Sequence, residues 1–315
     1  MNLSALPGPR PLLLLGVLGW VYWPTFLELY DTWSTNPEYS HGMLVPLFAL
    51  YLLVKRKPVA PTVPDRPWPV IGFASLALAV LMRLGGSATS FLPLEGLSFI
   101  LCLAALAVLA GGRAGLARYW PSVVFLVFMI PLPYEMSRLM GAELQRVATV
   151  CTTFVLQCLG QPAVAEGNRI LIGNVTLNVV EACSGLRMLM TFFAFSVAAV
   201  LLMERHWLVK VLVLAGAIPI ALATNILRIT ATGLAHLWLN DGDGKTRVLD
   251  FIHDFNGWMM MPVGLTFLLV ELWLFKHLLI ERPAAVGPRP AVSTPAPTAA
   301  AKPRFASVIQ MPTGR

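Results

Sequence analysis

Charge is scarce in this chain: Asp, Glu, Lys and Arg together make up 12% of its 315 residues. Soluble domains carry about a quarter, so an ordinary water-facing globular fold is excluded. Cysteine is rare as well, with four in all, and Cys102, Cys151 and Cys158 lie in apolar stretches where a thiol behaves as a small hydrophobe. That excludes a disulfide scaffold. Histidine is limited to five residues, and neither an HExxH nor a CxxC pattern occurs. Asp241, Asp243 and Asp250 with His253 are a weak set of ligands beside these missing patterns, so no metal and no other cofactor is expected. No G-X-Y period accompanies the 24 Gly and 25 Pro residues, which excludes collagen, and no internal repeat is present.

What is there is apolar: 57% of the residues are hydrophobic, and the mean hydropathy is +0.72. The excess of 23 Lys and Arg over 16 Asp and Glu lies in short gaps between apolar runs, not on an amphipathic surface. This is the pattern of membrane orientation and not of nucleic-acid binding. Eight runs approach the ~20 residues that a bilayer core requires. They are Pro11 to Tyr30, a run ending at Val54 that reaches spanning length from Asn36, Trp68 to Leu84, Phe91 to Ala110, Tyr119 to Leu132, Gly185 to Met203, Leu208 to Leu227 with a continuation towards Leu239, and Gly257 to Phe275. The first has no cleavage site and reads as a retained signal anchor.

Between the fifth and sixth runs, about Tyr134 to Cys183, the chain does not span. Its first part carries Arg138, Glu143 and Arg146 on one side of a helical pattern, which predicts an amphipathic helix lying on the interface. Its second part, RILIGNVTLNVV, alternates around Gly173-Asn174 and predicts a small β-hairpin. The expected fold class is therefore an all-α polytopic membrane protein of about eight transmembrane helices, with this helix and hairpin outside the bilayer. Residues 1–280 form the membrane domain, and 281–315 a disordered cytoplasmic tail rich in Pro and Ala. Arg10, the Lys55 to Arg66 cluster, Arg113 with Arg118, Arg205 with Lys210, and Lys276 to Arg304 fall at alternate ends. Both termini are thus expected in the cytoplasm.

This topology sorts the reactive groups by side. Cys183 lies two residues before the sixth span, Arg228 at the far end of the seventh, and His253 four residues before the eighth, all at the extracytoplasmic edge. A thiol, an imidazole and a guanidinium are chemically complete for acyl transfer: the thiolate attacks, the imidazole moves protons, and the cation stabilises the oxyanion. A helix starting near Gly185 places the Cys183 sulfur at a positive helix end with Arg187 one turn away, while Glu181 opposes ionisation. His206 and His277 fall on the other side; His41, in the polar loop NPEYSHG, and His236 remain beside His253 as alternatives. His41 has either a structural or a substrate-binding reading. The competing view is a non-enzymatic transporter or a scaffold for polysaccharide export, in which Cys183 merely packs and Arg228 anchors or binds an anion.

The strings YSHG (39–42), NVVEACSGLRML (178–189), PIALATNILRITATG (219–233) and HDFNGW (253–258) resemble the motifs of the exosortase family in the same order. The resemblance implies a membrane cysteine protease and transpeptidase of the bacterial inner membrane, with its active site on the extracytoplasmic face. Its partners would be membrane lipids and exported proteins bearing a C-terminal signal of the PEP-CTERM type: a Pro-Glu-Pro-like motif, one hydrophobic helix and a basic cluster. By motif position Cys183 matches the nucleophile, Arg228 the essential arginine and His253 the general acid and base. Asn225, Glu181 and His41 fall within the matching motifs as supporting residues. Water, or an amine on a lipid or glycan, would resolve the thioester. The family's association with exopolysaccharide places such sorting in the cell envelope. The tail after Glu281 carries no motif of the family.

Overall fold

The computed structural model describes residues 9–56, 67–173, 175–179, 185–239 and 246–278, so Glu181, Cys183 and the tail lie outside the described residues. The described residues are mainly helical, with one small sheet. Among the described residues, four helices are long and apolar enough to cross a bilayer: Pro67–Thr89, Leu92–Met129, Trp207–Leu237 and Met259–Leu278. The 17-residue Leu186–Leu202 is a shorter apolar helix.

The expected first run forms two helices, α1 (Pro9–Val21) and α2 (Trp23–Thr35), meeting at Tyr22. Pro24 lacks an N–H and disturbs the join, yet the amides of Tyr22 and Phe26 still donate to Leu18 and Tyr22 at 3.0 Å. The expected second run divides. Asn36 Oδ1 accepts from the Glu38 amide at 2.9 Å, and residues Pro37–Met43 wind into a 3-10 helix before α3 (Val45–Lys55) begins. At 11 residues α3 measures about 16 Å, short of a bilayer core. A side-chain cap followed by a proline start favours the tighter turn over continuous α-helix.

Helix α4 (Pro67–Thr89) packs against α5 (Leu92–Phe125), which doubles back on itself. Gly111 and Gly112 depart from helical geometry, Gly112 with φ at +55°. A Cβ on Gly96 would stand 2.8 Å from Ile130, whereas a straight helix would hold those residues about 50 Å apart. The halves 92–110 and 113–129 therefore lie side by side, as the separate fourth and fifth runs of the sequence require. Between α1, α2, α4 and α5 sits a buried polar cluster. Arg83 ion-pairs with Glu95, bonds the Thr25 hydroxyl at 2.7 Å and the Val21 carbonyl at 3.0 Å, and covers the Tyr22 ring at 4.8 Å. Tyr22 in turn meets the Ser98 hydroxyl at 3.0 Å.

Outside this bundle, α6 (Tyr134–Cys158) buries Gly141, Gln145, Ala148, Thr149, Thr152, Thr153 and Leu156 against the sheet and the later helix Trp207–Leu239. Val147, Val150 and Phe154 are exposed. The small and threonine-rich face, and not the apolar one, meets the protein, because small side chains let helices approach closely. The sheet has three antiparallel strands, β1 (Ala163–Glu166), β2 (Arg169–Ile172) and β3 (Val175–Asn178), in the order β1-β2-β3. The predicted hairpin corresponds to β2 and β3, and β1 is an addition, paired from Glu166 opposite Arg169 to Ala163 opposite Ile172. Ile170, Ile172, Leu177 and Val179 form a core with Ala148, Leu156 and Ile229. Three helices then complete the chain: α7 (Leu186–Leu202), α8 (Trp207–Leu239) and α9 (Thr246–Leu278).

Candidate active site

The site is built where α7, α8 and α9 meet. Met188 and Phe192 of α7, Ala221 of α8 and Met260 of α9 share one core cluster. Gly264 faces Phe192, and Gly216 faces Glu271, so α7 and α9 run in parallel with α8 antiparallel between them. From the common level of this cluster, heights follow from the helical rise of about 1.5 Å per residue. Arg228 is seven residues beyond Ala221, and His253 is seven residues before Met260, in the same direction. Both backbones therefore stand about 10 Å above the cluster.

Gly185 supplies the third element. It begins α7 in the left-handed region with φ at +86°, which glycine adopts without a Cβ penalty. A Cβ there would approach Asn225 Nδ2 to 3.1 Å. The start of α7 is thus packed directly on Asn225, one helical turn before Arg228, and Cys183 is only two residues earlier in the chain. Asn225 is 1% and Arg228 4% exposed. A guanidinium so withdrawn from water is held for a purpose other than solvation.

Helix α8 continues past this level into the outer layer. Ile229 joins the core of the sheet, and Gly233 faces Leu177 with room for no side chain, its Cβ position being 2.8 Å from Leu177 Cδ1. The sheet and α6 therefore brace the turn of α8 that carries Arg228. His236 is on this outer stretch, about 12 Å further along the helix than Arg228.

His253 departs from its expected place ahead of the eighth span. Helix α9 starts at Thr246, so the His253 backbone is two turns inside a helix; its side chain lies outside the described ones. His41 departs too. It is 6% exposed, packed within Pro37–Met43, which lies against α7 and the 3-10 turn Leu126–Met129. Trp33 locks that segment, its Nε1 donating to the Met129 carbonyl at 2.8 Å while its ring covers Gly42. Burial holds the His41 pKa below its ordinary value, and the nearby carbonyls of Glu38 and Phe128 offset this only in part. Burial likewise raises the Tyr39 phenol. One residue of this region drew no attention in the sequence: Thr191 of α7, 1% exposed. An apolar setting (LMTFFAF) gave no sign of a polar role. A cavity of about 270 Å³ between Met203, Arg205, Leu272 and Lys276 opens at the opposite end of α7 and α9 and does not belong to this site.

Fold and site together describe a polytopic helical membrane protein with a buried arginine and asparagine braced by a small outer layer. The transmembrane exosortase family model (Exosortase_EpsH) matches residues 33–270. The chain belongs to that family. No curated protein and no solved structure matches it.

Proposed function

We propose that this protein is a membrane-embedded cysteine protease and transpeptidase that cleaves C-terminal PEP-CTERM-type sorting signals of exported proteins on the extracytoplasmic side of the bacterial inner membrane. The observation that carries this reading is the seating of Gly185 on Asn225, one turn from the buried Arg228 and at the foot of the segment holding Cys183.

The reaction needs three groups. The Cys183 thiolate attacks the scissile carbonyl and forms a C–S bond, while the carbonyl oxygen takes up negative charge. Arg228 is the residue that opposes this charge, in a site closed to water where a fixed cation acts strongly. His253 gives a proton to the departing amine as the C–N bond breaks, leaving an acyl thioester and a free C-terminal fragment. Water, or an amine on a lipid or glycan, then attacks the thioester and gives up a proton to His253, and the thiolate is restored. Asn225 positions Arg228. The level of His253 with Arg228 favours it over His236, which stands about 12 Å too far out.

The same reading counts the fold-back of α5 as two spans and the α1–α2 pair as one. A substrate helix fixed by cytoplasmic cations would present its scissile bond at the depth of Arg228. In cells this serves sorting of envelope proteins linked to exopolysaccharide. The test is processing of a co-expressed protein with such a tail by Cys183→Ala, Cys183→Ser, His253→Ala and His236→Ala at matched membrane levels. The account expects loss of cleavage in the first three and retention in the fourth. Normal cleavage by Cys183→Ala overturns it.

A further inference from the structure

At the end of the bundle away from the active site, three helices enclose a hollow of mixed character. The cavity of about 270 Å³ lies where α7 gives way to Met203, α8 begins with Val209 in its first turn, and α9 runs out through Leu272, Phe275 and Lys276. Apart from Glu204, Arg205 and Lys276, its walls are apolar. Helices α8 and α9 are both long and apolar enough to cross a bilayer, and their ends here carry Trp207 and Trp273, 62% and 58% exposed. Exposed tryptophans at the ends of apolar helices mark the boundary between lipid and water. The cavity therefore stands at head-group level.

Charge and shape then narrow the occupant. The segments 203–210 and 272–278 carry Arg205, Lys210 and Lys276 against one carboxylate, Glu204. Glu271, the residue before Leu272 on α9, faces Gly216 of α8, which has no side chain to displace it. The balance is positive: it attracts an anion and would repel the basic cluster of a sorting signal. Towards the membrane interior the apolar wall continues onto exposed surface. Leu212 lies three residues beyond Val209 on α8 and Leu269 three before Leu272 on α9, so each shares a helix face with a wall residue. A cationic mouth above an apolar groove fits an acyl lipid better than a free anion. The volume falls below that of pockets enclosing whole drug-sized molecules; it suits a head group and its glycerol, with the chains left in the groove.

We infer that this cavity binds an anionic phospholipid, its phosphate held by Arg205 and Lys276 and its acyl chains lying along Leu212 and Leu269. On the reading above this end is cytoplasmic, the leaflet in which anionic lipids concentrate; the site itself rests on the membrane fold and not on the thiol mechanism. A lipid bound here joins the ends of the three helices that build the active site and so stabilises them.

The experiment uses the full-length protein in a neutral detergent, with dioleoyl phosphatidylglycerol as the probe and dioleoyl phosphatidylcholine as its zwitterionic counterpart. Binding is read by native mass spectrometry and by the rise in melting temperature. The anionic lipid binds wild type more tightly than its counterpart, and Arg205→Gln with Lys276→Gln weakens that binding roughly 10- to 30-fold, the worth of two cations at an anionic surface. Lys55→Gln with Arg56→Gln removes as many cations at the end of α3 and leaves binding unchanged. Leu272→Trp keeps the charges, fills the cavity and also weakens binding; if it does not fold, Met203→Phe decides on the same readout. Glycerol 3-phosphate does not compete. Equal affinity for the two lipids, equal loss in the two double variants, or undiminished binding in the filled cavity overturns the inference. Full competition by glycerol 3-phosphate overturns it too, by assigning the site to a free anion. Cleavage is not the readout, so failure here leaves the thiol reading standing, and failure of that reading leaves this one.

Discussion

Gly185→Ala probes the junction on which the site depends. Gly185 has φ at +86°, a conformation that costs an L-residue about 1–2 kcal/mol. The added methyl would also press on Asn225 Nδ2 at 3.1 Å, so Asn225 or the start of α7 must give by a few tenths of an ångström. For a chain of this size, 1–2 kcal/mol lowers the melting temperature by about 2–8 °C. The effect on activity is larger in proportion. Displacing catalytic groups by a fraction of an ångström to one ångström costs up to about 100-fold, and Cys183 is two residues from the strained position. We expect Gly185→Ala to cut tail processing by about 10- to 100-fold at matched membrane levels, read by immunoblot of the co-expressed substrate, with a modest loss of thermal stability in detergent. Gly185→Asn separates the two causes: asparagine tolerates left-handed backbone better, so its melting temperature falls less, while contact with Asn225 persists and processing remains impaired. Full processing and an unchanged melting temperature in Gly185→Ala would refute the proposed packing of α7 on α8 as a determinant of the site.

Arg228→Lys is expected to lower processing by about 100-fold or more, because a lysine loses the planar fork that a buried site is shaped around; near-normal processing contradicts the role given to Arg228. His41 predicts a pH dependence of stability. Its folded pKa is lowered by burial, so as pH falls below the unfolded value of about 6.5 the unfolded chain takes up the proton first. Stability is full above that pH, declines towards the lowered folded value and then levels. Melting curves between pH 8 and 5 should show this fall, and His41→Phe should flatten it. The Arg83–Glu95 pair is largely buried, with 17% and 10% of the side chains exposed. Removing one partner, as in Arg83→Met, is expected to cost about 3–5 kcal/mol and folded yield in detergent, whereas Arg83→Met with Glu95→Met recovers much of the loss; equal loss in the single and double variants contradicts this.

Hydropathy alone carried much of the architecture, because in a bilayer length and apolarity are nearly sufficient. Helices α4, α7 and α8 and the membrane half of α9 match the expected runs, and the turn at Gly111-Gly112 separates two of them inside one continuous helical stretch. Local capping decided what hydropathy did not: Asn36 and Pro37 divert the second run into a 3-10 helix. Strand β1, with the sequence AVAE, has no alternation of its own and exists through pairing with β2. The early start of α9 was hidden because the polar residues 240–250 resemble a loop, although Val248, Leu249, Phe251 and Ile252 extend the apolar pattern backwards. At the site, the common level of Arg228 and His253 on neighbouring helices was legible by counting residues. The seating of Gly185 on Asn225 and the burial of His41 and Thr191 were not, since both depend on lateral packing between segments far apart in the chain.

The central claim is that Cys183 carries the acyl group, and the most direct test is to look for the bond. Membranes containing the full-length protein and a PEP-CTERM-type substrate would be quenched in acid and the enzyme analysed by intact and peptide mass spectrometry. The account predicts an adduct of the substrate's N-terminal fragment on Cys183, released by hydroxylamine, and no adduct or cleavage in Cys183→Ala. Cleavage at the normal rate by Cys183→Ala, with no adduct on the wild-type thiol, would contradict it.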